Sequence, residues 1–198
     1  MSLGLAIPFL VFALVAAATP GPSNLILTST GAAVGVLRGL PALIGQVLGM
    51  GLMLFILAFG LGSLILNSSL ILQGLKWCGI AFLLWLAWKI ATSGHTADKA
   101  ERMRVGFWGA AAFQWVNPKA WIVCAAAVGT YFQAETGSAF GRALALALLF
   151  ILVALPSCFL WLAAGASLQR LLRTQRSAKV FNVAMGALLI GSIALFVH

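Results

Sequence analysis

The sequence predicts an all-α membrane protein, and its composition, its long uncharged stretches and its paired proline interruptions each support that class. Hydrophobic residues make up 63% of the 198 residues, whereas charged residues make up only 8%. Soluble domains carry about 25% charged residues. Fifteen charged side chains are too few to cover a globule of this size with a solvated surface. Most of the chain is therefore expected to face the lipid bilayer.

Six apolar stretches are long enough to be membrane-spanning helices, since one crossing needs about 20 mostly apolar residues. They cover residues 4–36, 40–66, 71–91, 105–132, 143–166 and 179–197. The first is too long for one straight crossing, because about 1.5 Å per residue gives about 50 Å against a hydrocarbon core of about 30 Å. We therefore expect it to break at Pro20-Gly21-Pro22.

The six predicted spans fall into two halves of three. Residues 1–92 form the first repeat, 93–104 a charged cytoplasmic loop, and 105–198 the second repeat. Because three is odd, the halves must face opposite ways across the membrane. The first span of each half carries a helix-breaking proline, so we predict two inverted three-helix repeats with Pro-broken first and fourth helices. In such repeats the broken helices meet near the midplane and form a binding site.

The positive charges predict the orientation, because cytoplasmic loops carry an excess of Lys and Arg. With the N-terminus outside, only Lys76 and Arg142 lie at outer ends. Nine basic residues then lie at the cytoplasmic side: Arg38, Lys89, Lys99, Arg102, Arg104, Arg170, Arg173, Arg176 and Lys179. Both termini are thus expected outside the cytoplasm. Since topology accounts for the net charge of +9, no nucleic-acid partner is expected.

Glycines recur at four-residue spacing in the first two spans. They are Gly31, Gly35 and Gly39, followed by Gly45 and Gly49. Such spacing lets helix backbones approach closely. It predicts packing within the bundle, and it is equally compatible with a homo-oligomer interface.

All three cysteines, Cys78, Cys124 and Cys158, lie inside predicted spans. There is no C-x-x-C motif and no Cys/His cluster, so neither a metal site nor a disulfide is indicated. We expect the three to be small buried apolar residues.

The first proline interruption reads Thr19-Pro20-Gly21-Pro22-Ser23-Asn24. Proline removes a backbone donor and clashes with the preceding turn, yet it is favoured at the start of a new helix. The motif therefore predicts one half-helix ending and another beginning. Non-helical backbone at this depth persists only where protein or a wet cavity satisfies it, and Ser23 and Asn24 add polar groups there.

The second interruption is Asn117-Pro118-Lys119, preceded by Gln114. Asn is a strong N-cap residue and proline suits the first helical position, so a helix is predicted to begin here. Lys119 would then lie near the bilayer centre, where no acid can pair with it, because Asp98, Glu101 and Glu135 all fall between spans. Its partner must be a backbone carbonyl, water or a ligand anion. Alternatively, Lys119 snorkels to the surface if this span is shifted.

Together these motifs resemble the LysE/RhtB family of amino-acid exporters. The Pro-Gly-Pro of the first span and Asn117-Pro118-Lys119-Ala120 of the fourth are similar to its two signatures, and the similarity extends over the whole chain. The segments most similar to the cysteine/O-acetylserine exporter branch are Phe107-Trp108, Phe113-Gln114, Val116-Asn117, Leu86–Ser93 and Gln169-Arg170-Leu171.

The resemblance implies proton-coupled export of small amino acids across the bacterial inner membrane. Lysine-exporting members carry an acidic residue in the second span, where this chain has Gln46, so a dibasic substrate is disfavoured. Lys119 is the one obvious candidate for the proton carrier, since no Asp, Glu or His lies inside a predicted span. The substrate-binding residues implied by the breaks and by the resemblance are Pro20, Gly21, Pro22, Ser23, Asn24, Gln46, Gln114, Asn117, Pro118 and Lys119.

Other functions fit less well. Export of homoserine or threonine, or of basic amino acids, is an alternative within the same family. A membrane thiol–disulfide transfer protein of this architecture needs a cysteine in the first span, and residues 1–37 contain none. A membrane hydrolase needs a nucleophile and base or metal ligands, whereas His95 and His198 lie in a loop and at the terminus. We therefore expect neither an enzyme nor a cofactor. A passive channel is a further alternative.

Overall fold

A computed structural model describes residues 3–61, 68–92, 105–132, 138–168, 172 and 174–197. Within these ranges the chain forms seven helices and no strand. They are α1 (Leu3–Ala18), α2 (Pro22–Ile56), α3 (Ser69–Ala91), α4 (Phe107–Val116), α5 (Pro118–Ala127), α6 (Ala139–Leu168) and α7 (Gln175–Val197). π-Helical turns extend α2 over Leu57–Leu61 and α5 over Val128–Phe132. The charged segment 93–104, residues 169–171 and both histidines lie outside the described residues.

Two helical stretches in the described part of the chain are long and apolar enough to cross a membrane. They are Pro22–Gly60 and Ala139–Leu168. The first is largely buried among the other helices, whereas the second is more exposed. The prediction of an all-helical chain with apolar helices of membrane-spanning length is therefore confirmed at this level.

Both predicted helix interruptions are present. α1 ends at Ala18 and α2 begins at Pro22, with Gly21 in an extended conformation at its N-cap. α4 ends at Val116 and α5 begins at Pro118, and Asn117 between them has φ −87° and ψ 110°. In each case the proline occupies the first position of the new helix, where its missing N–H removes no helical hydrogen bond.

The boundary between the first two predicted spans differs from the sequence expectation. The apolar stretches predict it at residues 37–39, around the isolated charge of Arg38. In the structure the chain turns at Gly35, which has φ 78° and ψ 179°, and Arg38 lies in the helical arm that follows. Glycine reaches this left-handed region at no steric cost, so one residue makes the turn without a loop.

Close helix packing around α2 explains most of the glycine spacing. α2 packs most extensively against α6 and then against α4, while α3 pairs with α7 and α1 lies on α6. A Cβ atom added at Gly31 would overlap the carbonyl oxygen of Leu162, and one added at Gly45 would overlap that of Phe107. The predicted packing role is confirmed for these positions, whereas Gly35 makes the turn.

The cysteines differ in burial. Cys124 and Cys158 are buried, as expected, but Cys78 is exposed beside the exposed Trp77 of α3. The expectation was wrong for Cys78 because an outward-facing position on a membrane helix tolerates the same small apolar residues as an inward-facing one. Composition therefore does not reveal which face of such a helix points inward.

Candidate functional site

The two helix interruptions lie side by side and are joined by hydrogen bonds. Lys119 Nζ donates to the carbonyl oxygen of Thr19 at 2.5 Å. Asn117 Nδ2 donates to Ser23 Oγ at 3.4 Å. Each bond connects residues from different halves of the chain. Of the three partners considered for Lys119, namely a backbone carbonyl, water or a ligand anion, the structure shows a backbone carbonyl, at the end of α1.

The side chain of Asn24 provides hydrogen-bond donors for the carbonyl oxygens at the end of α1. The last carbonyls of an α-helix have no partner inside the helix. Asn24 Nδ2 donates to the carbonyl oxygens of Ala17 and Thr19, both at 2.9 Å. The Thr19 oxygen therefore accepts from two donors, the Asn24 amide and the Lys119 ammonium.

The two helices that begin at the interruptions are capped differently. At α5, Asn117 Oδ1 accepts from the backbone N–H of Lys119 at 3.1 Å. At α2, the N-cap is Gly21, and no side chain caps the helix. The amides of Ser23 and Asn24 belong to the first turn, which has no acceptor inside the helix. The start of α2 is therefore the better place for an anion, because a helix N-terminus carries partial positive charge.

The ammonium of Lys119 rests against this uncapped helix start. A Cβ atom at Gly21 would lie 2.8 Å from Lys119 Cδ and 3.3 Å from Nζ. Glycine at this position thus gives the lysine stem its space. A full positive charge and the positive end of a helix consequently point into the same region.

A cavity opens at this point between α1, α2, α4, α5 and α6. Its empty volume is about 420 Å³, including the space at its mouth. Its polar lining consists of Ser23, Asn24, Gln46, Gln114, Asn117, Lys119 and Cys158. Lys119 is the one charged residue among the described residues that line it.

The cavity includes six of the ten residues singled out from the sequence: Ser23, Asn24, Gln46, Gln114, Asn117 and Lys119. Four of these, Asn24, Gln46, Gln114 and Asn117, are at most 5% exposed. The other four, Pro20, Gly21, Pro22 and Pro118, do not line the cavity. They form the backbone interruptions that bring the lining side chains together.

Sequence reasoning missed the contribution of α6. Cys158 lines the cavity and accepts a hydrogen bond from Gln46 Nε2 at 3.4 Å. Phe150 and Ala154 of α6 complete this wall. No local motif marks these residues, since only the packing of α6 against α2 turns them inward. Within the described ranges, no three His, Cys, Asp or Glu side chains come together as a metal site requires.

Broken helices that meet around a polar cavity in an apolar bundle are the architecture of a membrane transporter. The LysE type translocator family matches residues 14–198. The chain is 32% identical over 183 residues to the cysteine/O-acetylserine efflux protein of Salmonella paratyphi A (strain ATCC 9150 / SARB42), covering 92% of each chain. The protein of that name from Escherichia coli (strain K12) is 30% identical over the same length and coverage. No solved structure matches the chain.

The chain therefore belongs to the LysE type translocator family. Members of this family are integral proteins of the bacterial inner membrane, and both the family and the relatives are transporters rather than enzymes. The family resemblance inferred from the two proline motifs is thus confirmed.

Proposed function

We propose that this protein is a secondary transporter that exports small neutral amino acids or their derivatives, such as cysteine or O-acetylserine, from the bacterial cytoplasm. The observation that carries the proposal is the position of Lys119, whose ammonium lies at the uncapped start of α2 inside a cavity otherwise lined by neutral groups. The names of the relatives support the same substrate class.

The substrate carboxylate would bind between the Lys119 ammonium and the backbone amides of Ser23 and Asn24. This arrangement combines a charge-assisted hydrogen bond with the donors of a helix N-terminus. The amides of Gln46 and Gln114 are neutral, so they suit an uncharged side chain. A basic side chain would find no carboxylate among the described lining residues, which makes export of basic amino acids the weaker alternative.

The helix contacts support six spans arranged as two inverted repeats, with residues 1–92 and 105–198 as the repeats. In that arrangement the first and fourth spans correspond, as do the second and fifth. The contact of α1 with α6 then has its counterpart in the contact of α4 with α2. The α3–α7 contact would correspond to itself, as would the contact of α6 with the part of α2 that follows Gly35. Rocking of one repeat against the other would give access to the cavity from each side in turn.

Proton-coupled export makes a direct prediction for the purified protein in proteoliposomes. A proton gradient directed outward, with an acidic interior, should drive accumulation of cysteine or O-acetylserine inside the proteoliposomes against its concentration gradient. A protonophore should abolish this accumulation. A panel that adds homoserine, threonine and lysine tests the alternatives in the same assay. Transport that only equilibrates the substrate would instead identify a passive channel.

The orientation is tested by reporter fusions in cells. Because nine basic residues are assigned to the cytoplasmic side, alkaline phosphatase fused after His198 should be active. The same reporter fused within residues 93–104 should be inactive, and a cytoplasmic reporter should show the opposite pattern. A well-expressed but inactive phosphatase at the C-terminus would contradict the proposed orientation.

A further inference from the structure

The cavity contains a second polar contact, apart from the helix interruptions. Gln46 of α2 and Cys158 of α6 are 5% and 4% exposed, and Gln46 Nε2 donates to Cys158 Sγ at 3.4 Å. Met50 and Ala154, one helical turn from each of them, line the cavity as apolar neighbours. This hydrogen bond is thus the polar feature of an otherwise apolar wall.

The Gln46–Cys158 bond is weak for a buried amide. A thiol sulfur is a poor hydrogen-bond acceptor, whereas a carbonyl oxygen is a strong one. Gln114, the other lining glutamine, donates to the backbone carbonyl of Ala110 at 3.3 Å and is held within its own helix. Gln46 is therefore the lining glutamine whose N–H can be transferred to a better acceptor on a ligand.

We propose that Gln46 and Cys158 form the subsite for the substrate side chain, where an oxygen acceptor on the substrate replaces Cys158 Sγ as the partner of Gln46. This inference rests on the proposed function, which places the carboxylate at Lys119. Lys119, Gln46 and Cys158 line the same cavity. A substrate anchored at Lys119 would therefore extend its side chain into the space that the Gln46 amide borders. Hydroxyl and ester side chains are favoured over apolar side chains of equal size.

Cys158 limits how strongly apolar substrates are rejected. When an apolar side chain is bound, Gln46 keeps its hydrogen bond to the thiol, so the N–H that faces Cys158 is not left unpaired. A site that leaves a polar group unpaired discriminates by about 10⁴-fold or more, whereas small differences in apolar contact give about 10-fold to 200-fold. Wild-type protein should therefore prefer an acceptor-bearing substrate only about tenfold.

The test compares homoserine with norvaline, which differ by a terminal hydroxyl in place of a methyl group. The measured quantity is the ratio of their kcat/KM values for export from proteoliposomes, which does not depend on the amount of folded protein. Cys158→Ala should raise this ratio about tenfold, because norvaline then leaves the Gln46 N–H unpaired. Cys158→Ser should lower it about threefold, because a hydroxyl holds Gln46 more strongly than a thiol. Gln46→Leu should bring it near one.

Cys124 provides the matched control, since it is a buried thiol of α5 that does not line the cavity. Cys124→Ala and Cys124→Ser should leave the ratio unchanged. The opposite shifts of the two Cys158 variants distinguish this subsite from a packing role, which would move both in one direction. Equal or same-direction shifts would overturn the subsite while leaving the proposed function intact. A wild-type protein that exports cysteine or O-acetylserine but neither of these two amino acids would overturn the subsite alone, whereas one that exports none of the four would overturn both.

Discussion

Replacing Lys119 with alanine is expected to reduce the kcat/KM of amino-acid export by about 100-fold. The substitution removes the one charged group that lines the cavity in the described part of the chain. Truncating one partner of a buried charge pair costs about 2–5 kcal/mol, and each 1.4 kcal/mol corresponds to a factor of ten. Export of a labelled substrate from proteoliposomes measures the loss. Lys119→Met, which retains the length of the stem, should show a similar defect.

Lys89→Ala is the appropriate control for this effect. Lys89 lies in the last turn of α3, 4.8 Å from the ring centre of Trp85, and does not line the cavity. This variant also removes one cation, but its export kinetics should remain close to those of the parent. If the Lys119 variants exported cysteine, O-acetylserine and homoserine as well as the parent, the carboxylate site would be wrong.

Among the glycine-to-alanine variants, Gly165→Ala should cause the largest loss of folding stability. A Cβ atom there would overlap the carbonyl oxygen of Thr28, and it would lie 2.7 Å from the carbonyl carbon. Gly31 is the reciprocal position on α2, where a Cβ would overlap the Leu162 carbonyl. Overpacking of this kind costs about 1–3 kcal/mol, or more where backbone must move. The midpoint of thermal unfolding in detergent should fall by about 3–10 °C for either variant.

Gly74→Ala makes the same chemical change at a position with free space. Gly74 lies in α3, and an added Cβ meets no atom within 4 Å. Because alanine favours helices over glycine by about 0.5–1 kcal/mol, this variant should be as stable as the parent or slightly more stable. A Gly31→Ala/Gly165→Ala double variant should lose less than the sum of both, since one separation of α2 from α6 relieves both overlaps. Equal midpoints for Gly165→Ala and Gly74→Ala would contradict the backbone contact.

Local chemistry explains why the helix interruptions could be predicted. Pro22 and Pro118 stop one helix and begin another wherever the chain is placed, and Asn117 is a preferred cap in any context. Lys119 was recognisable because a cation in an apolar stretch is rare and costly. These features depend on a few adjacent residues, so the sequence carries them directly.

Features that depend on packing were not visible in the sequence. Gly35 makes the turn because of one backbone conformation, whereas Arg38 only marked a nearby change in polarity. Cys158 reaches the cavity because of the face that α6 turns towards α2, and on an apolar helix both faces have similar composition. The sequence left a backbone carbonyl, water and a ligand anion open as partners of Lys119, and only the placement of the two halves together identifies the Thr19 carbonyl.

The carbonyl oxygen of Thr19, which accepts hydrogen bonds from both Asn24 and Lys119, bears on how easily a substrate could bind to the site and leave it. If a substrate anion drew the Lys119 ammonium away, as the proposed function implies, the Asn24 amide would still donate to this oxygen, and the end of α1 would keep a hydrogen-bond partner in the membrane. Substrate binding would then exchange one partner of the ammonium for another, and substrate release would be the reverse exchange. In the proposed transport cycle, Asn24 would thus be a second donor that keeps the Thr19 carbonyl satisfied in both states.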